Sequence, residues 1–306
     1  AALARPRVSI VHLRVDPAEN TRQFRAAIAR ACAAIDEGLV PKPIDGHAVV
    51  RIHNTNTSKI IVARFDVEQG EAAVDGAMTL DGVAGTGAPI RLEFMAPGGA
   101  RTGKLLPTGR AVDTLDIPGL GRIEASLVDA ANPCVFVDAR ALDCTGIEMP
   151  DAIERNTELQ ACLEAIRRAA SVAMGIATDL DAAARIMSVP KVAMVAAPRI
   201  MQTLAGVTLG AADADIVVRM ISVGQAHRAV PLTGALCLAV ATRLAGTIPA
   251  TLAKGLRPDV AEIRIANPSG ITRVDAKVTS GASPTAEYAA VYRTARRLFE
   301  GKVLVR

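Results

Sequence analysis

Apolar and polar residues alternate along KIIVARFD (59–66) and PIRLEFM (89–95), the two-residue period of half-buried strands. HAVVRIHN (47–54), IEASLVD (123–129), CVFVDA (134–139), KVAMVAA (191–197) and DADIVVRMIS (213–222) are short apolar runs of strand length. AEIRIANPSG and TRVDAKV near the end read the same way. Between them lie segments of helical composition. RQFRAAIARACAAIDE (22–37) has high helix propensity, with Asn20 or Thr21 to cap it and Gly38 to stop it. A long helix is expected over 151–175, between Pro150 and Gly175, and a short one over Ala286–Phe299. ALCLAVATRLAG (235–246) is apolar on every side, as a helix buried all round must be. Each half of the chain thus carries one Ala-rich helix among short strands, the pattern of an internal pseudo-duplication.

Composition sharpens this to a mixed α/β protein. Of 306 residues 50% are hydrophobic but only 2% aromatic, so the core is built of Ala, Val, Leu and Ile. The length allows two domains or one large one. With 35 basic against 31 acidic residues the net charge is +4, too balanced for a nucleic-acid partner. The densest basic groups, 293–297 and Arg167–Arg168, fall on expected helix faces and read as solvated. Five cysteines without CxxC spacing argue against a disulfide framework or a zinc site, and four scattered His offer no ligand pair, so no metal is expected. No apolar run reaches the ~18 residues a membrane span needs, and the charged start lacks a signal-peptide core. The expectation is a cytoplasmic protein with no membrane partner. The chain opens with Ala, so its true N-terminus is expected to be altered or missing.

Four segments are candidates for chemistry. GGARTGKL (98–105) opens like a phosphate-binding GxxxxGK loop, but Leu105 stands where the metal-binding hydroxyl belongs, and Pro107 and Gly109 break the helix that should follow. SVGQAHRAVPLTGALC (222–237) sets the Thr233–Gly234–Ala235 amides at the start of a buried helix. Such an end carries unpaired N–H groups and partial positive charge, to which Thr233, His227 and Arg228 could add; the plainer reading is a Thr233 N-cap and a surface His. IHNTNTSKII (52–61) interrupts apolar strand residues with Asn, Thr, Ser and Lys, suited to a polar cleft or a hairpin end. In AANPCVFV (130–137) Asn132–Pro133 marks a turn, and Cys134 reads as a small core residue.

Together AIDEGLV (34–40), HNTNTSKIIVA (53–63), GVAGTGAPIRLEF (82–94), GKLLPTG (103–109), DAANPCVFV (129–137), PKVAMV (190–195), GQAHRAVPLTGALCLAVA (224–241) and NPSG (267–270) resemble the PrpF family of the diaminopimelate-epimerase-like superfamily, in family order. The resemblance implies two similar halves, each a β-sheet curled around a central helix, with substrate between the helix N-termini. The halves would be 1–116 with 273–306 returning to it, and 117–272. It implies cofactor-independent isomerisation of an unsaturated di- or tricarboxylate such as 2-methylaconitate, 4-oxalomesaconate or methylitaconate, and leaves a homodimer among the open assemblies. On this reading Thr233, Gly234, His227 and Arg228 hold one carboxylate, while Asn56, Lys59, Thr108 and Gly109 line the opposing wall.

The chain departs from the family at its acid/base residues. The family's Asn-Cys-Gly-Asn motif corresponds to ENTRQF (19–24), where Thr21 replaces the Cys, and Ser-Thr-Ser-Lys upstream has no counterpart. Asn56–Thr57–Ser58–Lys59 follows the helix instead of preceding it. A Thr hydroxyl is too weak an acid to replace a thiol without a strong base beside it. The first half is therefore expected to be incomplete at its N-terminus, the catalytic acid and base are unassigned, and a non-catalytic or truncated paralogue that only binds a carboxylate is the alternative.

Overall fold

The computed structural model describes residues 9–11, 45–54, 59–256, 262–279, 281 and 283–295. The expected helix 22–37, Thr21, Cys32 and Asn56 lie outside them. The chain divides into two compact units, Ala1–Glu93 with Tyr292–Arg306, and Phe94–Val291.

In the first unit β1 (Ser9–Val11), β2 (Gly46–Asn54), β3 (Lys59–Glu68) and β4 (Ile90–Met95) lie side by side in that order. β1 runs parallel to β2, and β2 pairs antiparallel with β3 from Gly46↔Val67 to Asn54↔Lys59.

The second unit holds β5 (Asp113–Ile117), β6 (Gly121–Ala130), β7 (Asn132–Asp138), β8 (Lys191–Ala196), β9 (Ile216–Ser222), β10 (Gln225–Ala226), β11 (Glu262–Asn267), β12 (Gly270–Thr279) and β13 (Thr285–Arg293). Its sheet order is β13-β12-β11-β9-β8-β7-β6-β5, with β10 folded back on β9. Pairing is mixed: β8 is parallel to β7 and antiparallel to β9, and β9 is parallel to β11. The helices are α1 (Pro150–Arg155), α2 (Thr157–Ala173), α3 (Leu180–Arg185), α4 (Leu232–Arg243) and α5 (Ile248–Leu252). Among the described residues no helix is long and apolar enough to cross a membrane.

Strand parity shows why these strands are apolar almost throughout. One face of the sheet (Leu127, Val135, Val137, Val192, Met194, Val217, Ile221) packs with Leu159, Leu163 and Ile166 of α2. The opposite face takes α4, whose residues Gly234–Thr242 are all buried. A strand covered on both sides has no polar face to present. Each fully buried leucine of α4, Leu236 and Leu238, contributes about 1.5–3 kcal/mol of apolar burial. The α/β expectation and the buried central helix therefore hold in this unit.

Three expected elements are corrected. The helix over 151–175 is two helices broken at Asn156, which is extended (φ −83, ψ 90) and whose side chain caps α2 by accepting from Leu159 N–H at 3.0 Å. The helix placed at 235–246 starts at Leu232, with Pro231 as its N-cap and no side-chain cap bond, so Thr233 lies inside the first turn and is not the cap. The segment expected to form helix Ala286–Phe299 is strand β13 as far as Arg293, paired antiparallel with β12. Its alanines favour helix, but Ala286, Ala289, Ala290 and Val291 are buried against neighbouring strands, and tertiary pairing overrides propensity.

Candidate functional site

The glycine-rich loop before β5 is an anion nest, and the anion is the protein's own. Asp129, fully buried on β6, accepts from Arg101 N–H (2.8 Å), Thr102 N–H (2.7 Å) and Thr102 Oγ1 (2.9 Å), all through Oδ2. Gly99 N–H donates to its backbone carbonyl at 2.8 Å. The phosphate-loop likeness of residues 98–105 thus has a structural cause: the backbone donors that would cradle a phosphate already hold a carboxylate.

A second set of donors gathers at the start of α4. Pro231 has no N–H, and the first intrahelical bond runs from Ala235 N–H to Pro231 C=O at 2.8 Å. The amides of Leu232, Thr233 and Gly234 precede it and have no intrahelical acceptor. A Cβ at Gly234 would run into the end of the Met220 side chain, so the glycine lets α4 seat closely on β9 with Met220 where it is.

That contact fixes which face of the sheet meets α4, and register places the polar residues on it. Met220 and Ser222 share a face of β9; Lys191 is the cross-strand neighbour of Ser222, and Cys134 pairs with Lys191. Asn132, two residues before Cys134, is on the same face, and its Nδ2 donates to Thr233 Oγ1 at 3.3 Å. Lys191 Nζ donates to Ser222 Oγ at 2.9 Å. His227 continues β10, its N–H bonded to Met220 C=O at 2.9 Å. Burial first, and then the charge of Lys191, hold its imidazole below the ordinary pKa of 6.5, so it is neutral at pH 7. Among the described residues neither His227 Nε2 nor Asn132 Oδ1, both buried, has a hydrogen-bond partner.

The backbone reaches this arrangement through two strained positions. Ala131, between β6 and β7, has φ 59, and Val223, in the tight β9–β10 turn, has φ 53. Left-handed conformation is costly for any residue with a Cβ and most costly for a β-branched one, and such strain gathers at functional sites. The NPSG turn braces the segment: Asn267 Oδ1 accepts from Ser269 N–H (3.1 Å), and Ser269 Oγ donates to Arg228 C=O (2.9 Å).

Of the residues expected to bind substrate, the structure brings His227, Thr233 and Gly234 together. Arg228 is exposed and its Nη2 bonds Asp151 Oδ1 on α1 at 2.9 Å. Thr108 Oγ1 donates to buried Asp113 (2.7 Å), and Gly109 closes the same turn with φ 78, its N–H on Leu106 C=O at 3.0 Å. Lys59 opens β3, opposite Asn54, in the first unit. Sequence reasoning missed Lys191 and Ser222, and read Asn132 only as a turn former. Their signal is a register across three strands.

Three of the described cysteines are held as thiols and are not resting thiolate bases. Cys237 is fully buried, its Sγ on Val128 C=O at 3.4 Å, and burial, followed by the neighbouring Cys134, drives its pKa well above 9. Burial, then Glu148 and Asp143, push Cys144 to about 11, and burial raises Cys162. Each of these three is a protonated thiol at neutral pH. Among the described residues no group of three or more His, Cys, Asp or Glu is disposed to hold a metal ion.

A profile of the PrpF protein family matches residues 5–306. The chain is similar to the 3-methylitaconate isomerase of Eubacterium barkeri, 39% identical over 300 residues that span 97% of this chain and 77% of that protein. It is similar to the 2-methyl-aconitate isomerase of Shewanella oneidensis, 34% identical over 305 residues, 97% of this chain and 76% of the relative. Among solved structures methylitaconate-delta-isomerase superposes with a TM-score of 0.80 at 36% identity, covering 93% of this chain and 72% of the other.

Proposed function

The chain belongs to the PrpF family, and from that premise we propose that it is a cofactor-independent isomerase that moves a proton within an unsaturated di- or tricarboxylate of the methylitaconate, 2-methylaconitate or 4-oxalomesaconate kind. The single observation that carries the reading beyond family membership is the donor cluster at the start of α4. An allylic proton shift passes through a dienolate-like anion, whose charge spreads onto a carboxylate. Amides already aimed at that carboxylate stabilise it without reorganisation. The N–H groups of Leu232, Thr233 and Gly234, with Thr233 Oγ1 and neutral His227 beside them, form such a set.

The proton itself needs a donor and an acceptor, and the three raised thiols are not resting thiolate acceptors. On this reading the α4 end is the binding half of the site, and the acid and base are unassigned. Four cysteines that stand as free thiols suit a cytoplasmic setting.

The test is deuterium uptake into 2-methylaconitate, 3-methylitaconate and 4-oxalomesaconate, followed by proton NMR with purified protein. Uptake at the allylic position of at least one is the expected result. Calorimetric binding with no uptake in any of the three would reduce the chain to a carboxylate-binding paralogue.

A further inference from the structure

We propose that Lys191 is a specificity-determining residue of this site, the side-chain cation that takes a second carboxylate and so separates di- and tricarboxylates from monocarboxylates. The inference rests on the carboxylate-isomerase reading and names what that reading leaves open: how the site counts carboxylates.

The argument is one of unbalanced charge. Lys191 opens β8 on the α4-facing side of the sheet and is partly buried. Among the described residues its hydrogen bond goes to a neutral hydroxyl, Ser222 Oγ, and no carboxylate pairs with it. A half-buried ammonium without a counter-ion is costly, and proteins otherwise neutralise it with Asp or Glu. The side chains and amides gathered with it are neutral or donating, namely Ser222, His227 held neutral, Asn132 and the amides that open α4, while the Glu154 carboxylate is engaged by Ala226 N–H at 3.1 Å. This end of the helix favours an anion, and among the described residues no carboxylate pairs with Lys191 to supply it. The contrast with Asp129 is direct, since that nest carries its own carboxylate.

The two donors also differ in kind. The α4 amides are fixed and recognise one carboxylate by direction. Lys191 is a mobile point charge tethered by Ser222, able to meet a second carboxylate whose position varies between substrates. It binds through charge, so Arg can replace it and Met cannot.

The test compares itaconate with methacrylate, the same unsaturated skeleton without the second carboxylate. Binding of both to the parent chain, Lys191→Met, Lys191→Arg and Ser222→Ala is measured by calorimetry, with thermal melts to confirm that each is folded. Lys191→Met should weaken itaconate by about tenfold to a hundredfold, the worth of a hydrogen bond to a charged group, and leave methacrylate within about twofold. Lys191→Arg should restore itaconate to within about fivefold of the parent, and Ser222→Ala should weaken it by about two- to fivefold. In turnover, Lys191→Met should raise KM and leave kcat within about threefold, the mark of binding shared by ground and transition states. Equal losses for the two ligands, or none for either, would overturn the assignment while leaving the isomerase reading in place. A parent chain that binds neither ligand yet exchanges deuterium into one of the three substrates would overturn this assignment alone, and one that does neither would overturn both.

Discussion

His227 shows how much of the site's character is set by one neighbour. Its pKa lies below 6.5, first through burial and then through Lys191. The sign follows: the unfolded chain takes up this proton before the folded one, so the contribution of His227 to stability falls as pH drops below about 6.5 and is flat above it. Lys191→Met should raise the His227 pKa toward the ordinary value without reaching it, because burial remains; imidazole proton shifts followed by NMR across pH 4–8 read this directly. Val223 offers a second measurement. It is 52% exposed, so its φ of 53 is not repaid by side-chain burial. Val223→Asn suits the left-handed turn that the pair Val223–Gly224 makes, and urea denaturation should report a gain of about 0.5–1 kcal/mol. At this scale His227, Thr233 and Gly234 were legible, because glycines and a proline set them off before an apolar helix. Lys191 was not, because nothing around it in sequence separates a strand-opening lysine on the solvent side from one turned toward a helix end.

At the scale of elements the Gly-rich loop of residues 98–105 and β6 depend on each other. Asp129→Ala would strip Arg101 N–H and Thr102 N–H of their acceptor and leave Thr102 Oγ1 only the Lys104 C=O at 3.1 Å. A loss of about 2–4 kcal/mol is expected, since unmet donors near a buried site cost more than a hydrogen bond gains. Sulfate or phosphate should recover part of it in thermal melts of that variant and do nothing comparable for the parent, whose nest is filled. Strand elements were read well where alternation or unbroken β-branched runs marked them, as in β3 and β9. They were misread in β13, where TAEYAAVYR carries enough alanine to imitate a helix and only its pairing with β12 decides otherwise. The break at Asn156 was equally hidden, because a residue that caps one helix leaves the apolar period on either side almost undisturbed.

For the whole second unit the decisive fact is that its sheet is covered on both faces, by α2 and by α4. Ligand binding should then stabilise the unit as one body: at a hundred times Kd, a dicarboxylate should add about 2.7 kcal/mol, seen as a shift of the melting temperature. At the same itaconate concentration that gain should fall to about 0.4–1.4 kcal/mol in Lys191→Met, the tenfold to hundredfold weakening read as stability, while any gain from methacrylate should be nearly unchanged. The pairing of Lys191 with Ser222 has a further meaning. The polar cluster is drawn from residues 132, 191, 222, 227 and 233, so no continuous stretch of chain contains it. In β8 a slip of one residue would turn Lys191 to the α2 side and bring Val192 to the helix end, with both faces still apolar enough to pack. Hydrophobic burial alone distinguishes those two registers poorly. On the proposed reading a dicarboxylate bound at Lys191 would favour the native register by up to the same ~2.7 kcal/mol, so binding would reinforce strand alignment as well as chemistry.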